Sequence, residues 1–214
     1  MQDALASRFT DAPLLPEGSQ TALLKSMATR GSCRAFADKP VPAEWIEAIS
    51  ALAMSAPTKS DMQQRDIVVL KSPDIRKRLA DLVSGQSWVA DAPMIAVFCG
   101  NNRRQRLLHD WHDVPFANDH LDAFFNAAGD AAIALGAFVT AAEAMGLGCC
   151  PISAVRNEAD AVSDRADRAR LPVCWFGIWV SSQDTRGIET VAVARDLSRG
   201  PVSRGRLARG GGRL

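Results

Sequence analysis

Arg30-Gly31-Ser32-Cys33-Arg34 places two guanidinium groups and a hydroxyl within five residues, at a break between two helical stretches. That set suits a phosphate monoester, because Arg offers paired donors to its oxygens and Ser adds a short neutral one. A second polar stretch, Ser55-Ala-Pro-Thr-Lys-Ser-Asp-Met-Gln63-Gln64, lies between a helical pattern and a β-branched run. Its Gln63 amide both donates and accepts, as the edge of a heterocycle requires. The third is Gly146-Leu-Gly-Cys-Cys-Pro-Ile-Ser-Ala154. Its glycines end a helix, and the chain then runs extended past small residues, where a backbone can approach a flat ring. Taken singly, each stretch reads better as an ordinary connection, since short motifs mislead often. Their order and spacing together carry more.

Other reactive side chains organise into less. His109, His112 and His120 lie in one polar segment with Asp110, Asp113 and Asp119, but no tetrahedral ligand set with typical spacing is complete. Cys33, Cys99, Cys149, Cys150 and Cys174 are odd in number and contain no CxxC, so neither a disulfide framework nor a cysteine zinc site is indicated. Cys149-Cys150 reads as packing. Reduced thiols fit a cytoplasmic location, and the first twenty residues hold acids and prolines without an apolar core, unlike a signal peptide.

The elements that must position these residues follow from periodicity. Ser19 can cap a helix carrying Leu23, Leu24 and Met27. Pro42 suits the first turn of a helix with Trp45, Ile46, Ile49 and Leu52 on one side, ending before Ser55-Ala-Pro57. Buried strands are predicted at 67–70, 94–99 and 173–180, and further helices at 73–83 and 157–166. Residues 101–120 are polar and show too little periodicity for an element. The longest helix, 121–145, is apolar on nearly every side, so it must be buried all round, which in a chain of 214 residues points to a second subunit. Its apolar stretch, 131–142, is too short for the ~20 residues of a membrane span. The alternation of helices with short strands, without hairpin turns, predicts an α+β or α/β sandwich with helices covering a small sheet. Residues 1–18 read as a flexible lead-in and 182–214 as an Arg/Gly-rich tail. Hydrophobic residues make up 47% and the net charge is +1, a balance that suggests neither nucleic acid nor membrane as partner.

In their order, RGSCR, SAPTKSDMQ and GLGCCPISA resemble the nitroreductase and NAD(P)H:flavin oxidoreductase family, with GQSWVADAPMIAVFCG matching its lead into the second strand. AVRN after the glycine turn looks most like the branch holding the larger, NADPH-preferring enzymes. The resemblance implies an α+β three-layer sandwich with a small, mostly antiparallel sheet, an FMN-binding domain over 19–181, and a homodimer with two sites at its interface. Arg30, Gly31, Ser32 and Arg34 would hold the FMN phosphate and ribityl end, and Gln86 the ribityl chain or ring edge. Pro57, Thr58 and Asp61 would come from the other subunit, with Gln63 near the ring and Ile152, Ser153 and Ala154 against it. Arg204 and Arg206 would form a second phosphate clamp. The implied activity is a ping-pong reduction of nitroaromatics, quinones or flavins by NAD(P)H, with chemistry on the FMN and no catalytic side chain. The alternatives are a flavin enzyme that dehydrogenates or dehalogenates one metabolite, and a non-catalytic flavin-binding protein.

The sequence departs from the family pattern in several places. Asp61 replaces a usual Asn and would set a carboxylate beside a ring that gains negative charge. Gln64-Arg65 replaces a common Pro-Trp, and Gly136-Ala137 a Gln-Asn. After the last predicted strand, Trp179-Val-Ser-Ser-Gln stands where Gly-Tyr-Pro is usual.

Overall fold

The computed structural model describes residues 2–12, 14, 16, 21–83, 85–165, 176–182 and 188–189. In chain order these form α1 (Gln2–Ala6), α2 (Ala22–Thr29), β1 (Ser32–Cys33), α3 (Ala43–Met54), β2 (Arg65–Leu70), α4 (Pro73–Leu82), β3 (Met94–Gly100), α5 (Arg103–Trp111), α6 (Leu121–Ala144), β4 (Leu147–Ile152), α7 (Ala159–Arg165), β5 (Phe176–Ser182) and β6 (Ile188–Glu189). Four strands make an antiparallel sheet in the order β2-β3-β5-β4, with Ile67 opposite Phe98, Val97 opposite Gly177 and Cys150 opposite Trp179. Strands β1 and β6 form a separate antiparallel pair.

Strand β3 is buried over its whole length, because both faces of the sheet are covered. Met94, Ala96 and Phe98 pack with Ile49 and Ala53 of α3 and with Ala134, Phe138 and Ala142 of α6. Ile95, Val97 and Cys99 point the other way, into a cluster with Leu79 of α4, Val89, Val155 and Val162 of α7. Helix pair, sheet and helix pair are the three expected layers. Phe98 and Phe138 meet edge-to-face, with ring centroids 5.3 Å apart. Contacts of this geometry add to the area they bury.

The expectation that the apolar part of α6 is too short for a membrane span considered only 131–142; the whole helix, 24 residues, is long and apolar enough to cross a membrane, but here it is the inner layer on the sheet. Its alanines at 123, 127, 131, 134 and 142 are buried and let it lie close. The opposite side is not covered: Leu121, Phe124, Phe125 and Ile133 are exposed. Gly146, at φ +84°, ends the helix in the left-handed conformation a C-terminal glycine allows.

Four local expectations are corrected. The sheet has a fourth described strand, β4, in the stretch expected to run merely extended; Pro151 is tolerated there because β4 lies at the sheet edge. Residues 103–111 form α5, whose pattern is inverted: Gln105 faces inward while Leu108 and Trp111 are exposed. The lead-in contains α1, and Arg8 beyond it donates a hydrogen bond to the Arg30 carbonyl. The cap of α2 is the Thr21 hydroxyl, 3.3 Å from the Leu24 amide, whereas Ser19 lies outside the described residues. The tail assigned to 182–214, including Arg204 and Arg206, is likewise outside them except at 182 and 188–189.

A Cβ built on Gly100 would stand 2.9 Å from the backbone carbon and oxygen of Ala127, so the end of β3 and α6 approach only because residue 100 is glycine. Overpacking of this kind costs about 1–3 kcal/mol. Gly100→Ala is therefore expected to lower the melting temperature by roughly 2 °C or more. An unchanged thermal unfolding curve would contradict the close approach.

Candidate functional site

The Arg30–Arg34 stretch enters β1 beside β4 and the C-terminal end of α6. Arg30 donates through Nε to both carboxylate oxygens of Glu143 at 3.1 Å. That leaves its outer nitrogens, and Nη2 is buried without a partner. Arg30, Gly31, Cys33 and Glu143 line a cavity of about 140 Å³ with Ser26, Thr29 and Gly148. Burial pushes the Glu143 carboxyl up from its ordinary value, against the opposing pull of Arg30. Ser32 hydrogen-bonds the Cys150 thiol, and the charge of Arg34 acts on that thiol too; burial nevertheless raises it. Cys33 and Cys149 are raised for the same reason, so these free thiols are poor nucleophiles.

Two further predicted groups lie on the α4/α7 side of the sheet. Gln86 precedes the short 3₁₀ turn Ser87–Val89 and lines a hollow of about 490 Å³ with Asp81, Gly85 and Ser87. Trp88, two residues on, meets Phe36 with ring centroids 6.1 Å apart, which docks the Gln86 turn against the chain just past Arg34. Ile152 closes β4, and Ser153 leads into a 3₁₀ turn at Ala154–Arg156. Phe36, Trp88, Ile152 and Ala154 all pack in the cluster on the α4/α7 side of the sheet. The Gln86 turn, the 152–154 turn and the chain just past Arg34 are therefore held on one apolar foundation.

The 55–64 loop is held elsewhere, by residues the sequence patterning did not single out. Asp130 of α6 is 2% exposed and accepts from the Lys59 amide at 2.8 Å and the Gln64 amide at 3.0 Å. Arg65, fully buried, donates to the carbonyls of Met54, Ala56 and Pro57 at 2.6–3.0 Å. Gln105 donates to the Met62 carbonyl at 2.7 Å, and Arg104 donates to the carbonyls of Gln63 and Arg65. Asp61 and Gln63 sit at the loop's tip, where the Gln63 amide donates to the Asp61 carboxylate at 2.7 Å. The signal for Asp130 was available, since an acid inside an apolar helix is buried only with partners.

Pro57, Thr58 and Lys59 face the uncovered side of α6, where they line a groove of about 270 Å³ with Phe125, Asn126, Gly129, Asp130 and Ile133. Thr58 Oγ1 is buried without a partner. Asp130 and Glu143 are thirteen residues apart, so the loop and the Arg30 cavity are anchored ~20 Å apart along α6. Within one chain the structure does not bring them together. The histidines serve locally: His109 stacks on Phe116, and His120 Nδ1 accepts from the Asp122 amide at the start of α6. Among the described residues no three His, Cys, Asp or Glu side chains gather as a metal site.

The model of the nitroreductase family matches residues 27–177. The chain is 35% identical over 137 residues to a protein of Bacillus subtilis named FMN reductase (NAD(P)H), covering 63% of this chain and 55% of the relative. To the oxygen-insensitive NADPH nitroreductase of Salmonella typhimurium it is 32% identical over 147 residues, 69% of this chain and 60% of the other. The solved structure of the hypothetical oxidoreductase YcnD from Bacillus subtilis is similar with a TM-score of 0.74 at 28% identity, over 79% of this chain and 69% of that one. The chain thus spans little more than half the length of the curated relatives it matches.

The Glu143 shift gives a pH test. A carboxyl raised in the folded state binds more protons than in the unfolded chain, so stability falls as pH rises from the unfolded value through the folded one. Glu143→Gln lacks that loss. Its melting temperature relative to the parent should therefore be more favourable at pH 7.5 than at pH 4.5. The opposite trend would mean that pairing with Arg30 outweighs burial.

Proposed function

The chain belongs to the nitroreductase family, and on that premise we propose that it binds FMN and passes electrons from NAD(P)H to a small planar acceptor: a nitroaromatic, a quinone or a free flavin. The observations that carry this reading are that Ser32 bonds the Cys150 thiol and Phe36 packs on one cluster with Trp88 and the 152–154 turn, while Arg30 Nη2 is left buried and unpartnered beside a cavity. An orphaned guanidinium nitrogen is costly unless something accepts from it, and a phosphate oxygen is a fitting acceptor. Arg30, Gly31, Ser32 and Arg34 would hold the phosphate end, Gln86 the ribityl chain, and Ile152, Ser153 and Ala154 the ring. When bound, FMN supplies the redox chemistry at N5, and the protein supplies position and electrostatics. NAD(P)H and the acceptor would use one site in turn, a ping-pong sequence.

The working unit is a homodimer. Leu121, Phe124, Phe125 and Ile133 leave one side of α6 uncovered, and a second chain is the partner that buries them. The groove lined by Pro57 and Thr58 lies on that side, so in such a dimer the 55–64 loop of one subunit would reach the site of the other. The orphaned Thr58 hydroxyl fits a partner there. A cytoplasmic location agrees with the free, buried thiols.

Purified protein should be yellow, with flavin absorption bands, and should release FMN on denaturation. Arg34→Ala is expected to weaken FMN binding by a factor of about ten or more, since a hydrogen bond to a charged group contributes about 1.5–3 kcal/mol. Arg103→Ala, at an exposed position on α5, is the control. Equal FMN retention by the two variants removes the phosphate-clamp assignment.

Sedimentation of the flavin-loaded protein should give a dimer. A yellow monomer would overturn the shared site.

A further inference from the structure

Ser60, Asp61 and Gln63 have φ of 50°, 56° and 53°, all in the left-handed region. For non-glycine residues this conformation is strained, so the loop does not hold its shape unaided. Alongside Gln105 and Arg104, which donate to the carbonyls of Met62 and Gln63, two buried side chains of opposite charge hold it from within. Asp130 takes the amides of Lys59 and Gln64 on its two oxygens, and so pins both ends of the tip carrying Asp61 and Gln63. Arg65 takes three carbonyls, from Met54, Ala56 and Pro57, and so fixes the approach to Thr58. Beyond their attraction for each other, these side chains direct the hydrogen bonds named here to backbone groups of one surface loop, and Arg65 Nε is left buried without a partner. That is an expensive device for a loop with no task, because buried charges are costly unless fully hydrogen-bonded.

The task follows from placement. The clamp is ~20 Å along α6 from the Arg30 cavity, and the loop opens to the uncovered side of α6. We propose that Asp130 and Arg65 are positioning residues that act in trans: in each subunit they shape residues 57–63 for the FMN site of the partner subunit. This rests on the FMN dimer described above. Asp130→Asn keeps the shape of the side chain but replaces one acceptor oxygen by an NH₂ group, which must face the Lys59 or the Gln64 amide, donor against donor. The defect then appears at the other chain's cofactor.

The experiment uses full-length chains with two different affinity tags, so that mixed dimers can be isolated, and reads FMN dissociation constants by flavin fluorescence. Asp130→Asn homodimers and Arg34→Ala homodimers should each bind FMN about tenfold more weakly than the parent. In the mixed dimer of the two, one site combines an intact Arg34 with an intact clamp, and the other site has both defects. It should therefore bind one FMN per dimer with the parent affinity. Two weakened sites and no restored one would show that the clamp acts within its own subunit, or only through general stability, and would overturn the proposal. So would parent-like binding by the Asp130→Asn homodimer. Should that variant fail to fold, Arg65→Lys takes its place in the same mixed dimer, since it keeps the charge and loses the three-carbonyl fork. A parent protein without FMN, or an Arg34→Ala homodimer that binds normally, would instead count against the function proposed above and not against the clamp.

Discussion

An apolar strand in the middle of a sheet has no face it can turn to water, and β3 is such a strand from Met94 to Gly100. The layers follow from that constraint. Because side chains alternate, its residues feed two separate cores, and each core needs its own helix pair. The helices on one face, α3 and α6, are brought near by alanine on α6 and by the bare backbone of Gly100 against Ala127. On the other face α4 and α7 leave room for the turns at Gln86 and at 152–154. The site is thus built on the rim of a core that would exist for packing reasons alone.

Helix α6 serves as the axis along which polar work is distributed. Its inward side is alanine and phenylalanine, interrupted at two points by acids, Asp130 and Glu143. Each interruption binds a piece of the proposed site: Glu143 holds Arg30, and Asp130 holds the 55–64 loop. The two differ in how they are satisfied. Asp130 receives two backbone amide hydrogens, whereas Glu143 is hydrogen-bonded by the Arg30 guanidinium, itself a third exposed, with the charge of Arg8 acting on it as well. Burial therefore dominates at Glu143, and Arg30 keeps a nitrogen to spare.

Much of this was legible in the sequence, and the illegible parts share physical causes. Periodicity and β-branched runs placed α3, α4, α6, β2 and β3 to within a few residues, because their side chains face one consistent environment. Strand β4 escaped since Gly148, Cys149, Cys150 and Pro151 lack β-branched character; only the sheet edge makes them a strand. Helix α5 escaped because it buries Gln105 and exposes Leu108 and Trp111, the reverse of the pattern by which helices are recognised. The proposed phosphate motif was visible as two arginines and a serine, but not the fact that Arg30 is already engaged by a residue more than a hundred positions away. Asp130 and Arg65 carried a charge signal without a partner signal, since their partners are backbone atoms, which every residue has.

The uncovered face of α6 connects packing to function. In a single chain, Phe125 and Ile133 line a groove that Pro57 and Thr58 also line, so apolar surface and site loop are contiguous. A second subunit burying that surface must at the same time meet the loop, because no boundary separates them. In the proposed homodimer, association and completion of the site would then be one event, and the free energy of burying the aromatic and aliphatic side chains would also contribute to ordering the surroundings of the proposed cofactor. This explains why an isolated chain would invest two buried charges in a surface loop. In the proposed dimer, the shape they impose would find its use where the next subunit begins.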